Sequence, residues 1–218
     1  MVIRRRFCGP IDSANGGYTC GLLAGLLDAR SVDAILLRPP PLERELRFDG
    51  LGLWDGEELV AEAERAELDL EPPEPVSYAD AEAASHGYPG FRRHAFPTCF
   101  VCGPARSEGD GLRIFAGPVE GREVVAAPWQ APGDVNETLV WAALDCPGAI
   151  AVGFPERGET LLGRFVGRIE GKPTPGERCV VVGWPLGEDG RKLYAGTALF
   201  GRDERLLGLA RAVWIEPR

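Results

Sequence analysis

The chain has 218 residues, 44% of them hydrophobic and 26% charged, with a formal net charge of −9. These are the values of a folded globular protein and exclude extended disorder; the acidic balance repels polyanions, so no nucleic-acid partner is expected and any phosphate must be held by a local group of arginines. No apolar run reaches the roughly 18 residues of a membrane span, so no membrane association is expected, and the basic start Arg4-Arg5-Arg6 leads into no long apolar segment, which points to a cytoplasmic protein.

Residues 2–8 alternate loosely and predict a first strand. Asp12 or Ser13 then serves as cap for a helix over 16–28. In it Tyr18, Leu22, Leu23, Leu26 and Leu27 interleave with the small Cys20, Gly21, Ala24 and Gly25, which predicts close packing on every side. Pro39-Pro40-Pro41 breaks the chain, and 43–48 and 57–70 read as strands. The Glu-rich stretch 57–67 has helix propensity too, but the later stretch 206–215 that matches it is rich in Leu, Val, Trp and Ile, which favours strand. Residues 71–98, from Glu71-Pro-Pro-Glu-Pro75 to His94-Ala-Phe-Pro97, form a connection with one short helix around 78–85. Strands follow near 111–117 and 122–127, then a helix over 136–146 stopped by Pro147, then strands near 160–170, 177–185, 191–200 and 206–215. A helix followed by antiparallel strands, twice over, is an α+β arrangement.

The two halves carry matching landmarks in one order. Asn15-Gly16-Gly17-Tyr18, Pro41-Leu-Glu-Arg44 and 59–63 in the first correspond to Asn136-Glu137-Thr138-Leu139, Pro175-Gly-Glu-Arg178 and 206–210 in the second, where the spacing is wider. A repeated unit cannot usually bury its apolar face alone, and function often sits where copies meet. The expected division is 1–75, a connection over 76–98, and 99–218.

A helix start preceded by small residues presents unpaired N–H groups and the positive end of the helix dipole, which suits a developing oxyanion. Asn15-Gly16-Gly17 fits that description, but spacing alone favours a simple tight turn into a helix. Asp145 stands in the otherwise apolar Trp141-Ala-Ala-Leu144-Asp145-Cys146 stretch near a helix end, where burial raises a carboxyl pKa and the dipole disfavours negative charge. A structural Asp bonded to nearby backbone is the equal alternative. Six cysteines are scattered through the chain and read as free thiols. Cys99-Phe-Val-Cys102-Gly103 invites a zinc reading, but a structural zinc takes four ligands and no second Cys-x-x-Cys follows, while His86 and His94 lie at irregular spacing in the connection. Two free cysteines in a turn is the favoured reading, so no metal and no cofactor is expected. Serine–histidine catalysis lacks its motif, and Gly50-Leu-Gly52-Leu-Trp-Asp-Gly56 misses the dinucleotide spacing and reads as a turn. Arg4-Arg5-Arg6 and Arg92-Arg93 are the tightest basic clusters and the candidate phosphate holders.

With Cys99-Phe-Val-Cys102-Gly103-Pro104 leading to Gly111-Leu112-Arg113-Ile114, with Pro175-Gly-Glu-Arg178 and with the final stretch 203–215, the chain resembles the hotdog-fold thioesterase superfamily over nearly its whole length. The first copy is the shorter and weaker match. The resemblance implies two tandem hotdog repeats, each a central helix wrapped by an antiparallel sheet, forming a pseudo-dimer. In such thioesterases the start of one copy's helix makes the oxyanion hole and the opposite copy's helix supplies a carboxylate. Here the first copy has Gly16-Gly17 but Ala24 at the spacing of Asp145, and the second has Asp145 but Glu137 and Thr138 in place of the glycines. One composite site is therefore implied, with Asn15, Gly16, Gly17 and Asp145 catalytic and Tyr18, Trp141, Arg92 and Arg93 binding substrate. The family's His-Gly-Gly is Asn-Gly-Gly in this chain. The implied activity is hydrolysis of a small acyl thioester, on CoA or an acyl carrier, by a monomeric pseudo-dimer or a homodimer. A non-catalytic acyl- or aromatic-binding protein is the alternative, and a hydratase or dehydratase, which needs a catalytic His, comes third.

Overall fold

The computed structural model describes residues 1–216. The first half contributes α1 (Gly16–Leu27), β1 (Ser31–Leu36), β2 (Arg47–Phe48), β3 (Gly52–Asp55) and β4 (Glu58–Arg65), and the connection carries α2 (Tyr78–Ser85). The second half contributes β5 (Gly117–Pro118), β6 (Val125–Gln130), α3 (Glu137–Ala143), α4 (Cys146–Ala151), β7 (Leu161–Ile169), β8 (Arg178–Asp189), β9 (Lys192–Phe200) and β10 (Leu206–Ile215). All ten strands form one antiparallel sheet in the order β2-β3-β4-β1-β7-β10-β9-β8-β6-β5.

The two halves meet at the β1–β7 pair, in which Ala34 faces Phe165 and Ser31 faces Arg168; outward from it lie β4, β3 and β2 on one side and β10, β9, β8, β6 and β5 on the other. The central helices begin alike: Asn15 and Asn136 each cap a helix by accepting the N–H three residues on, from Tyr18 and Leu139. An N-cap side chain satisfies one of the first-turn donors that have no partner inside the helix. α1 and α3 then lie against each other, and glycines set how close they come. A Cβ at Gly21 would lie 2.7 Å from Trp141 Cβ and 2.9 Å from Thr138 Cα. Trp141 fills the space between α3 and the sheet, its ring over Gly167 and edge-on to Phe165 at 5.7 Å. The predicted packing of α1 on every side is thus realised mainly on its α3 face, where Gly17, Cys20, Gly21 and Ala24 are buried, while Leu26 is exposed.

The other face of the sheet is covered by the connection. Ala81 and Ala84 of α2, with Leu68 and Val76, pack on Val180, Val182, Ala198, Phe200 and Leu209, while the alternate residues Cys179 and Val181 face the helices. Arginines hold the proline-rich strap through its carbonyls: Arg168 to Leu68, Arg211 to Asp69 and Arg122 to Pro75. The residues between the halves are therefore a second layer and not a loose tether.

Several expectations are corrected. Residues 2–8 form a short 3-10 turn at Arg5–Phe7, whose backbone closes locally through Phe7 N to Arg4 O while Arg5 N donates to Glu43. The strand expected over 43–48 shrinks to β2, because Glu43 takes a left-handed conformation at φ +56. The Gly50–Gly56 stretch is more than a turn, since β3 lies within it and meets β4 in a hairpin. No strand spans 111–117, where Gly111 and Arg113 have φ of +88 and +53, values incompatible with an extended run. β1 was not anticipated. The helix cap is Asn15, not Asp12 or Ser13. Pro147 stops nothing: α3 ends before it, and the proline sits in the first turn of α4, where a missing N–H is harmless.

Candidate active site

Leu144 and Asp145 join α3 to α4, and this position sets the environment of Asp145. It is only 2% exposed, so its charge is poorly solvated. Burial pushes its carboxyl up to about 7, against the lowering effect of hydrogen bonds from Gly17 and Asn15. Both bonds go to one oxygen: Oδ2 accepts from Asn15 Nδ2 at 2.5 Å and from Gly17 N at 3.0 Å. The other oxygen, Oδ1, is buried with no partner among the described residues. Asn15 thus does two jobs, capping α1 with its oxygen and binding the carboxylate of the opposite half with its nitrogen.

A cavity of about 210 Å³ opens beside this contact and is lined by Asn15, Gly16 and Asp145. Thr160 and Trp214 also line it, and Thr160 Oγ1 and Trp214 Nε1 are buried without hydrogen-bond partners among the described residues. Unpaired buried polar atoms are uncommon in folded proteins because each forfeits its hydration. Three of them on one cavity mark a space suited to a polar guest held in an otherwise apolar lining. The Gly16 N–H, a first-turn donor, takes no partner among the described residues, and Gly16 lines the same cavity. Gly17 N is already committed to Asp145, so the free amide of the helix start belongs to Gly16. At the mouth stands Arg38, exposed and 4.0 Å from Glu58.

Asn15, Gly16, Gly17 and Asp145, widely separated in sequence, are thus brought into one constellation. Tyr18, Trp141, Arg92 and Arg93 are not. Tyr18 stacks on Phe7 at 4.0 Å and lines a different cavity with Arg6 and Arg113. Trp141 is buried in the core, and Arg92 and Arg93 are exposed at a 3-10 turn on neither cavity. Arg4 and Arg6 are paired with Glu43 and Asp110. Thr160, Trp214 and Arg38 carry no sequence motif; the unpartnered polar atoms of the first two and the place of all three on the cavity single them out.

Next to Asp145 lies a cluster that spacing alone could not reveal. Cys146, the first residue of α4, brings its sulfur within 4.8 Å of both Cys99 and Cys102, and all three line the cavity. The Cys99–Cys102 pair does sit in a turn, but it is a pair with a third thiol. His94 points Nε2 at Cys102 Sγ at 3.4 Å and does not line the cavity, while His86 is exposed at the end of α2. No histidine therefore faces Asp145, the arrangement a hydratase of this fold requires. Among the described residues no helix is long and apolar enough to cross a membrane.

No family model matches the chain, and no curated protein matches it. Solved structures do. The tesB protein of Mycobacterium avium subs paratuberculosis superposes with a TM-score of 0.64 at 13% identity, over 96% of this chain and 90% of that one. A conserved protein of unknown function with the hotdog fold from Alicyclobacillus acidocaldarius gives 0.62 at 10% identity, over 99% and 91%. An acyl-CoA thioesterase II from Mycobacterium marinum gives 0.56 at 11%, over 94% and 91%. The nearly full coverage of both chains shows that this chain has the hotdog fold in its tandem form, two hotdog repeats joined as a pseudo-dimer.

Proposed function

We propose that the chain is a cytoplasmic acyl-thioester hydrolase, acting on an acyl-CoA or a carrier-bound acyl group, with one composite site between two copies of a duplicated unit. Residues 1–75 and 99–218 are the copies, with 76–98 between them. The observation that carries the reading is the unpaired, buried Oδ1 of Asp145 on a cavity shared with the free Gly16 N–H. A buried carboxylate held through one oxygen keeps the other for a proton.

In this mechanism the thioester carbonyl enters the cavity and its oxygen takes the Gly16 N–H, which strengthens as negative charge develops there. Asp145 removes a proton from a water as that water's oxygen bonds to the carbonyl carbon. The tetrahedral intermediate then expels the thiolate, which recovers the proton from Asp145, leaving a carboxylic acid and a thiol. Asn15 and Gly17 fix the carboxylate, Thr160 and Trp214 offer further donors to the acyl group, and Arg38 at the mouth meets carrier phosphate. Several neighbours of this fold are named as thioesterases, which supports the class.

The test is thiol release from a panel of acyl-CoA chain lengths by wild-type protein and Asp145→Asn. Loss of about 10²- to 10⁴-fold in kcat is expected for the variant. No turnover on any chain length, or unchanged turnover in Asp145→Asn, would sink the proposal, and thermal stabilisation by acyl-CoA without turnover would put a binding protein in its place.

A further inference from the structure

The Cys99, Cys102 and Cys146 side chains are the strongest feature that the hydrolase reading leaves unused. Their sulfurs lie within 4.8 Å of one another, and Cys99 and Cys146 are 3.7 Å apart. Tetrahedral zinc with Zn–S bonds of about 2.3 Å sets its sulfurs about 3.8 Å apart. The observed separation is thus the edge of such a tetrahedron. It is much longer than the roughly 2.05 Å of a disulfide bond.

All three thiols are buried and free, and their sulfurs converge on one point. The Cys-x-x-Cys-Gly turn closes through Gly103 N to Cys99 O at 2.9 Å, and a Cβ at Gly103 would lie 2.5 Å from Cys99 N, so only glycine permits it. Asn15 Nδ2 stands 4.0 Å from Cys99 Sγ. His94 Nδ1 accepts the Phe96 N–H at 2.9 Å, which leaves the proton of a neutral ring on Nε2, the nitrogen that faces Cys102 Sγ. His94 is therefore a donor to a ligand sulfur, the usual task of a group just outside a metal's ligands.

We propose that Cys99, Cys102 and Cys146 bind one thiophilic divalent cation, zinc by preference, with a fourth corner open to the cavity that Asp145 also lines. Three soft thiolates select zinc over magnesium or calcium. Three protein ligands with one open position is the pattern of zinc sites that admit water or substrate. Binding forms three Zn–S bonds and releases the thiol protons to solvent, with no change of oxidation state. The site stands whether or not the chain hydrolyses thioesters.

The full-length protein, reduced and freed of metal, is titrated with cobalt(II) chloride and with zinc chloride. The expected result is about one equivalent bound, a thiolate-to-cobalt charge-transfer band that zinc abolishes, and a higher Tm with zinc than with chelator. Cys99→Ser, Cys102→Ser and Cys146→Ser each lose the stoichiometric band, and Cys8→Ser and Cys179→Ser keep it. His94→Ala keeps the stoichiometry with affinity about tenfold weaker. Wild-type protein with a native circular dichroism spectrum and no charge-transfer band would overturn the site, and so would a Cys99–Cys146 disulfide in freshly purified protein. Loss of stoichiometry in His94→Ala equal to that of the cysteine variants would overturn the open corner. The wild-type measurement does not depend on any variant folding.

Discussion

The Gly17 amide donates to Asp145 Oδ2 at 3.0 Å, across the junction of the two halves. The contact is possible only because residue 17 lacks a side chain: a Cβ there would lie 2.5 Å from Asp145 Cβ and 2.7 Å from the Trp141 carbonyl oxygen. Neither atom is the far end of a flexible group, so the helices would have to part.

Gly17→Ala is therefore expected to destabilise the fold by about 2–3 kcal/mol, the upper range of overpacking. Gly16→Ala is the comparison, since its Cβ would meet Leu162 Cδ2 at 2.8 Å, a side-chain end that can turn away. Urea denaturation of the two variants reads the difference. Equal losses would mean that the helix contact gives way more easily than its geometry implies.

The two capping asparagines offer a matched pair. Asn136→Ala removes only a cap, worth about 1 kcal/mol. Asn15→Ala removes a cap and a buried bond to a carboxylate, and should cost about 2–3 kcal/mol in the same measurement. If both lose the same amount, the Asn15–Asp145 bond contributes nothing to stability.

Glu177 makes the stability of the second half sensitive to acid. Burial alone would raise its pKa, but bonds from Arg202 N, Thr174 N and Thr174 Oγ1 and the charge of Arg205 outweigh it and hold the carboxyl at about 2. With the folded pKa below the unfolded one of about 4.3, its contribution is fully present above that value and is lost as pH falls toward 2. Over that window wild type should lose about 2–3 kcal/mol that Glu177→Gln does not lose. Chemical denaturation of both proteins at stepped pH checks it, and parallel curves would remove Glu177 as the cause.

Arg38 is the arginine that lines the cavity, whereas Arg92 and Arg93 stand away from it. If carrier phosphate docks at the mouth, Arg38→Ala raises KM for acyl-CoA by about tenfold with little change in kcat, the pattern of lost uniform binding. Arg92→Ala and Arg93→Ala leave KM unchanged. Steady-state kinetics at fixed ionic strength separates these outcomes, and a KM increase confined to Arg93→Ala would relocate the phosphate site.

What the sequence made legible follows from where local and distant forces agree. The stretches over 160–170, 191–200 and 206–215 have apolar periodicity on a buried sheet and return as β7, β9 and β10 with nearly the same bounds. β1 was hidden because Ser31–Leu36 is short and owes its extended form to partners far away in sequence, β4 and β7. The pairing of Asn15-Gly16-Gly17 with Asp145 was implied by the resemblance, which places the helix start of one copy opposite the carboxylate of the other, and residue chemistry alone left both positions open to a structural reading. The third cysteine was invisible for a similar reason: Cys146 follows Asp145 directly and meets Cys99 only because α4 starts where α3 ends.

The sheet order also governs what a second copy of the chain could do. Both outer strands, β2 at Arg47–Phe48 and β5 at Gly117–Pro118, are two residues long. Beyond the span of β5 the next strand carries Pro128, which has no N–H to give. An incoming strand would find almost no ladder to extend, and such blunted ends are how β proteins keep from polymerising edge to edge. By fusing the two halves along β1 and β7, the chain has placed its longest backbone pairings indoors and left the outside with nothing to zip onto.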